Sequence, residues 1–133
     1  MSPSPDNITT LHPNEIFVFG SNTQGRHGAG AALHARRNFG AKYGIGMGYT
    51  GQCYAIATKD GNLRTLKLEN IEVQVVRFLD QARANPGHIF LVTEIGCGLA
   101  GYTAEQIAPM FKGTPENVRL PARFIDVLSG AKA

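Results

Sequence analysis

Residues 15–40 read EIFVFGSNTQGRHGAGAALHARRNFG, and the hand-over in the middle of that stretch decides the fold. Glu15 to Phe19 is an apolar run bounded by Pro13-Asn14 on one side and by glycines on the other, which predicts a strand. From about Gly28 to Phe39 alanines dominate, Ala32, Ala35 and Phe39 keep one small apolar stripe, and Gly40 ends the pattern, which predicts a helix. Between them the chain crowds in glycines. Inside regular structure a glycine loses about 0.5–1 kcal/mol to alanine through conformational entropy, so the cluster calls for a compensating gain. Either the turn needs positive φ, or something approaches the backbone more closely than a Cβ permits.

The rest of the chain repeats the alternation. YGIGMGYTGQ, from Tyr43, is a second glycine-dense loop, and CYAIATK, Cys53 to Lys59, reads as a buried strand. Thr65 to Asn85 carries Ile71, Val75, Phe78, Leu79 and Ala82 at i, i+4, i+7, i+8, i+11, an amphipathic helix stopped by Asn85-Pro86-Gly87. HIFLVTEI, His88 to Ile95, is a continuous β-branched and aromatic run suited to a parallel strand covered on both faces. After the loop GCGLAGY, Thr103 and Gln106 match a capping box, opening a short helix with Ile107, Met110 and Phe111 facing inward. A last short strand is predicted at Asn117 to Leu120, and the Ala-Lys-Ala tail is expected to fray. Strands alternating with helices mean an α/β layered domain.

At 133 residues the chain is expected to form one domain, 1–133, with segments 1–13 and 126–133 peripheral to it. No apolar run approaches the ~20 residues needed to span a bilayer, and MSPSPDNITTLHPNE lacks the basic and apolar regions of a secretory signal. A cytoplasmic protein with no membrane partner is therefore expected. Cys53 and Cys97 form no CxxC pair and are expected as reduced thiols, and no metal or cofactor is assigned. His12, His34 and His88 lack ligand spacing. The net charge of +3 suits an anionic small molecule as well as a nucleic acid, but the basic residues have no interleaved aromatics, and Arg36-Arg37 reads as a solvated helix face.

Both glycine loops leave the carboxyl ends of predicted strands, where the ligand crevice of an open α/β sheet lies. Two such loops, each leading to a helix whose first N–H groups lack partners, would make a backbone cradle for a diphosphate. Gly96-Cys97-Gly98-Leu99-Ala100-Gly101 matches GxGxxG literally. A dinucleotide fold, however, places that motif at its first strand, before a βαβ unit for which too little chain remains here. The GxxxxGK[ST] phosphate loop is absent as well.

FGSNTQGRHGAGAALHARRNFG, then YAIATKD, then IGCGLAGYTAEQIAPMF resemble, in that order, the phosphate-binding loops and the strand between them of macrodomains, from about Asn7 to Phe111. RHGAG leading into a basic helix that ends in NFG, then YAIATKD, then IGCGL, resemble more narrowly the branch of terminal ADP-ribose protein glycohydrolases. The resemblance implies a three-layer α/β/α sandwich with a mixed, mostly parallel sheet, and a pocket for ADP-ribose or an ADP-ribose-containing nucleotide, with hydrolysis of an ADP-ribosyl bond on protein or nucleic acid as the enzyme version. It implies that Asn22 meets the distal ribose, that Gly28, Ala29 and Gly30 hold phosphate, and that Gly96, Cys97, Gly98, Leu99, Ala100 and Gly101 close over the diphosphate. Tyr102 or Tyr49 would stack on a sugar or base, or serve as a core tyrosine.

Lys59 falls where that branch carries a catalytic lysine, a nucleophile toward the ribose anomeric carbon; the alternative is a lysine snorkelling at a strand end. The branch's acid in the second loop is replaced by Ala100, leaving Asp60 or Glu94 to stand in, or a domain that binds without turnover. Asn7, with Asp6 beside it, matches the position of an adenine-gripping Asp. His27 reads as a loop histidine bonded to a phosphate or a carbonyl. Cys97 reads as a small residue in a tight turn, with a thiol activated by a helix N-terminus as the alternative. The rival functions are a non-catalytic reader or sequestering protein for NAD-derived nucleotides and, last, a nucleic-acid module.

Overall fold

A computed structural model describes residues 3–98 and 100–130. In chain order it runs β1 (Glu15–Asn22), α1 (Gly30–Asn38), β2 (Gly48–Thr50), β3 (Cys53–Lys59), α2 (Leu68–Ala84), β4 (Ile89–Val92), α3 (Ala104–Ile107) continuing into a 3-10 turn (Ala108–Phe111), β5 (Val118–Arg119) and α4 (Ala122–Leu128). The strands form one five-stranded sheet in the order β2-β3-β1-β4-β5. β1 is parallel to β3 and β4, and β4 to β5, while β2 runs antiparallel to β3. The sheet is therefore mixed and mostly parallel.

Alternation along β1 divides the core between the two faces of the sheet. Ile16 and Val18 join Tyr54, Ile56, Phe90 and Val92 under the buried stripe of α2, with Ile107, Phe111 and Phe124 from the elements that follow β4. Phe17 and Phe19 turn the other way, with Ala55 and Leu91, against Ala32, Ala35 and Phe39. The small alanines let α1 lie close to the sheet. Helices thus cover both faces of an α/β domain.

Several boundaries differ from expectation, each for a local reason. β1 continues through Gly20 and Ser21 to Asn22, because its ladder with β3 persists to Asn22–Lys59 after a shift at Ser21. β4 stops at Val92 instead of Ile95: the backbone N–H and the hydroxyl of Thr93 both donate to Val18 O, at 3.1 and 2.8 Å, and the chain peels away. α1 starts at Gly30 instead of Gly28, since the φ of +57° at Gly30 lies outside the right-handed helical region and no helix can run back through it. β2 and α4 add to the elements expected from the sequence. Beyond β2 the edge of β3 is closed by Gln74 of α2, whose side-chain amide pairs with both the N–H and the C=O of Ala57 at 2.7 Å.

The end segments pack against the sheet. Ser4 donates from its N–H to Leu120 O and from Oγ to Val92 O, both at 2.8 Å, and Ile8 is buried. Val127 and Leu128 pack on the core cluster that holds Phe124. The expected fraying of residues 131–133 lies outside the described residues. No helix among the described residues is long and apolar enough to cross a membrane.

Candidate functional site

β1 and β4 are neighbours, yet the chain leaving β1 enters α1 on one face while the chain leaving β4 enters α3 on the other. Diverging connections of this kind open a crevice at the carboxyl edge of the sheet. A cleft of about 710 Å³ lies there. Its floor is Gly20, Ser21, Asn22, Thr58 and Lys59; one wall is Arg26 and Gly28 to Ala32, and the other is Thr93 to Gly98 with Ala100.

Of the residues singled out from the sequence, Asn22, Gly28, Ala29, Gly30, Lys59, Gly96, Cys97, Gly98 and Ala100 all line this cleft. Leu99 lies outside the described residues. Asp60, Gly101, Tyr102 and Tyr49 are not in the lining. Asp60 Oδ1 accepts from the N–H groups of Asn62 and Arg64 at 2.8 and 3.0 Å, so this carboxylate organises its own turn. Gly101 makes a turn, its N–H donating to Gly98 O at 3.0 Å with φ at +87°. Tyr102 donates its hydroxyl to Leu66 O at 2.6 Å and packs on the α2-side core. Tyr49 sits on edge strand β2 with its ring 5.1 Å from that of Tyr54. The core alternative fits Tyr102, which packs on the α2-side cluster, and not Tyr49, which is exposed.

The two walls are built differently. The first is a loop tied to itself by Asn22, whose Nδ2 donates to Arg26 O and whose Oδ1 accepts from Arg26 N–H, both at 2.9 Å. That clamp delivers the chain to α1, which has no side-chain N-cap and no acidic residue in its first turn. The unpartnered N–H groups at this end of α1, with their partial positive charge, open on the cleft beside Arg26 and Lys59. The second wall leads to α3 only after Thr103, whose capping box with Gln106 satisfies two of the donors at that end. No residue of α3 lines the cleft, so the helix-end donors beside it are those of α1.

The second glycine-dense loop, from Tyr43, lines no part of the cleft and buttresses the first. Gly44 N–H donates to Gly25 O at 2.8 Å, the Ser21 hydroxyl donates to Gly46 O, and His27 Nε2 lies 2.9 Å from Ile45 O. A Cβ on Gly46 would stand 2.0 Å from Asn22 O, so glycine is obligatory there. His27 is fully buried. A carbonyl only accepts, so Nε2 of the imidazole carries a proton. Desolvation lowers its pKa from 6.5, with a smaller effect of Arg36 in the same direction and the Ile45 bond opposing both. Its Nδ1 has no partner.

Cys97 is not an activated thiol. Burial, with Glu94 adding to it, pushes its pKa up to about 11, and α3 begins too far along the chain to oppose this. Glu94 is the one carboxylate among the described lining residues, and its Oε1 lies 3.4 Å from an Arg123 guanidinium nitrogen. Glu94 also borders a second cavity of about 590 Å³, which shares Gly30, Ala31 and Thr93 with the cleft and reaches Asp6, Asn7 and Ile8. Two lining residues carry no signal in the sequence pattern: Arg26, although it stands within the RHGAG motif, and Leu63, whose place in the lining depends on a turn no motif marks. No protein-family model, curated protein or solved structure matches the chain.

Proposed function

We propose that the cleft binds ADP-ribose or a closely related nucleotide, as in the macrodomains that the sequence resembles. In this reading the diphosphate lies between Gly28–Gly30 and Gly96–Gly98, the distal ribose turns toward Asn22 and Lys59, and the adenosine extends into the adjoining cavity beside Asp6 and Asn7. The observation that carries it is the pair of glycines, Gly28 and Gly98, facing one cleft at the uncapped end of α1. Neither glycine has a left-handed φ, and a Cβ on either would meet nothing within 4 Å. Their own fold does not require them; close approach by a ligand does. Arg26, Lys59 and the helix end supply the positive potential that an anion needs. The cytoplasmic setting read from the sequence belongs to the same proposal.

Two modes of action follow. In one, Lys59 serves hydrolysis of an ADP-ribosyl bond on protein or nucleic acid, with Glu94 the acid at hand. In the other, the protein reads or sequesters the nucleotide unchanged. The second is favoured by Ala100, which offers no carboxylate, and by the engagement of Asp60 in its turn. Titration calorimetry with ADP-ribose tests the binding, and no heat at millimolar ligand overturns it. Mass spectrometry of an ADP-ribosylated substrate incubated with wild type and with Lys59→Ala separates the modes. Release by wild type alone, with affinity nearly intact in the variant, assigns hydrolysis through Lys59, and an unchanged substrate assigns sequestration.

A further inference from the structure

Among the described residues, Leu63 is the one non-glycine residue with positive φ, at +61°. It closes a tight reversal after β3: Leu63 N–H donates to Asp60 O at 3.1 Å, Asp60 N–H to Arg64 O at 2.8 Å, and Lys59 bridges Thr65. Hairpins of this length usually give the left-handed position to glycine. This chain has a glycine two residues earlier and uses it otherwise: Gly61 lacks positive φ, and a Cβ there would stand 2.6 Å from the Gln24 side chain. A leucine therefore occupies the disfavoured backbone state, and it does not repay the strain by packing, since it is 60% exposed. What it does is line the cleft.

The turn is braced against both walls. An Arg26 guanidinium nitrogen lies 3.5 Å from Gly61 O, and the Thr65 hydroxyl donates to Ala100 O at 3.0 Å. The leucine is thus carried on a braced turn that begins at Lys59, and more than half of it stays exposed. Strain kept at a site, together with an exposed apolar side chain in a cleft, marks a residue whose partner is the ligand.

We propose that Leu63 is a specificity-determining residue: it forms an apolar wall against the end of the ligand beside Lys59, which, on the nucleotide reading above, is the distal ribose. It selects ligands that present a carbon-rich face there over ligands that end at the diphosphate. Calorimetry with ADP-ribose and with ADP, on wild type, Leu63→Gly and Leu63→Asn, tests this. Covering roughly half of a leucine side chain corresponds to about a tenfold change in affinity. Both variants are expected to lose about that much for ADP-ribose and none for ADP, while their melting temperatures stay at or above that of wild type, since glycine and asparagine accept the left-handed state. Equal affinity of wild type and both variants for ADP-ribose, or an equal loss for both nucleotides, overturns the role of Leu63 alone. Failure of wild type to bind either nucleotide overturns the nucleotide reading and this proposal with it.

Discussion

Glycines that line the cleft and the glycine that buttresses it from behind do different work, and substitution separates them. At Gly28 and Gly98 a methyl group meets no protein atom and no left-handed φ forbids it. Alanine there should leave the fold unchanged or raise its stability by about 0.4–1 kcal/mol, through the smaller entropy of the unfolded chain. The methyl nevertheless stands where a phosphate is to approach, so ADP-ribose affinity should fall at least ~10-fold, a loss of about 1.4 kcal/mol. Thermal melts and calorimetry on the two variants check the pair of signs; Gly46→Ala, with its Cβ on Asn22 O, should instead lose folded protein. His27 carries a prediction about pH. Its folded pKa lies below 6.5, so the unfolded chain binds the extra proton first: the stability it gives is complete above pH 6.5 and is lost as pH falls through 6.5 toward the folded value. Urea midpoints measured between pH 7.5 and 5 should decline more steeply in wild type than in His27→Gln, and parallel slopes would remove His27 from the effect.

At the scale of elements, the function proposed here depends on an end of α1 that the protein leaves unfinished. Natural helices usually place Ser, Thr, Asp or Asn at the N-cap, whereas this one has Ala29, exposed and in the cleft lining, with no acidic residue in the first turn. Ala29→Asp should complement the helix dipole by about 0.3–1 kcal/mol and hold or raise the melting temperature. It should abolish nucleotide binding, because the new carboxylate takes the place of the phosphate. Loss of both stability and binding would mean that Ala29 matters to the loop and not to an anion. The elements also show what the sequence could disclose. α2 was legible because its buried residues, Ile71, Val75, Phe78, Leu79 and Ala82, recur at helical spacing within a seventeen-residue helix. β2 was not, since three residues beginning with glycine carry no period and its pairing with β3 is set by the tertiary fold. The end of β4 was missed because a threonine side chain intercepts the carbonyl of a neighbouring strand, a contact between residues far apart in sequence. The cleft walls were legible as glycine motifs, while the part of Leu63 rests on a single dihedral angle.

For the molecule as a whole, one sheet separates two apolar clusters, and the question is whether they unfold together. The β1 ladder argues that they do: Phe17 and Phe19 serve one cluster, Ile16 and Val18 the other, so neither side can lose its strand without exposing the opposite face. The ends of the chain tighten this coupling, because the N–H and hydroxyl of Ser4 reach Leu120 and Val92 while Ile8 joins the α1-side cluster. Phe124 of α4 is a suitable place to disturb the assembly. It is fully buried, its ring centroid lies 5.8 Å from that of Phe111, and it is remote from the α1 side. Phe124→Ala should reduce stability by about 3–5 kcal/mol, a large fraction of the ~5–15 kcal/mol available to a domain. If the sheet couples the two clusters, the loss appears on both faces. Backbone amide resonances of Ala35 in α1 and of Val75 in α2 should then disappear at one urea concentration in wild type, and at one lower concentration in the variant. Resonances on the α2 side vanishing first, with Ala35 unmoved, would instead divide the protein into two units that unfold separately, and the shared strand would not be what joins them.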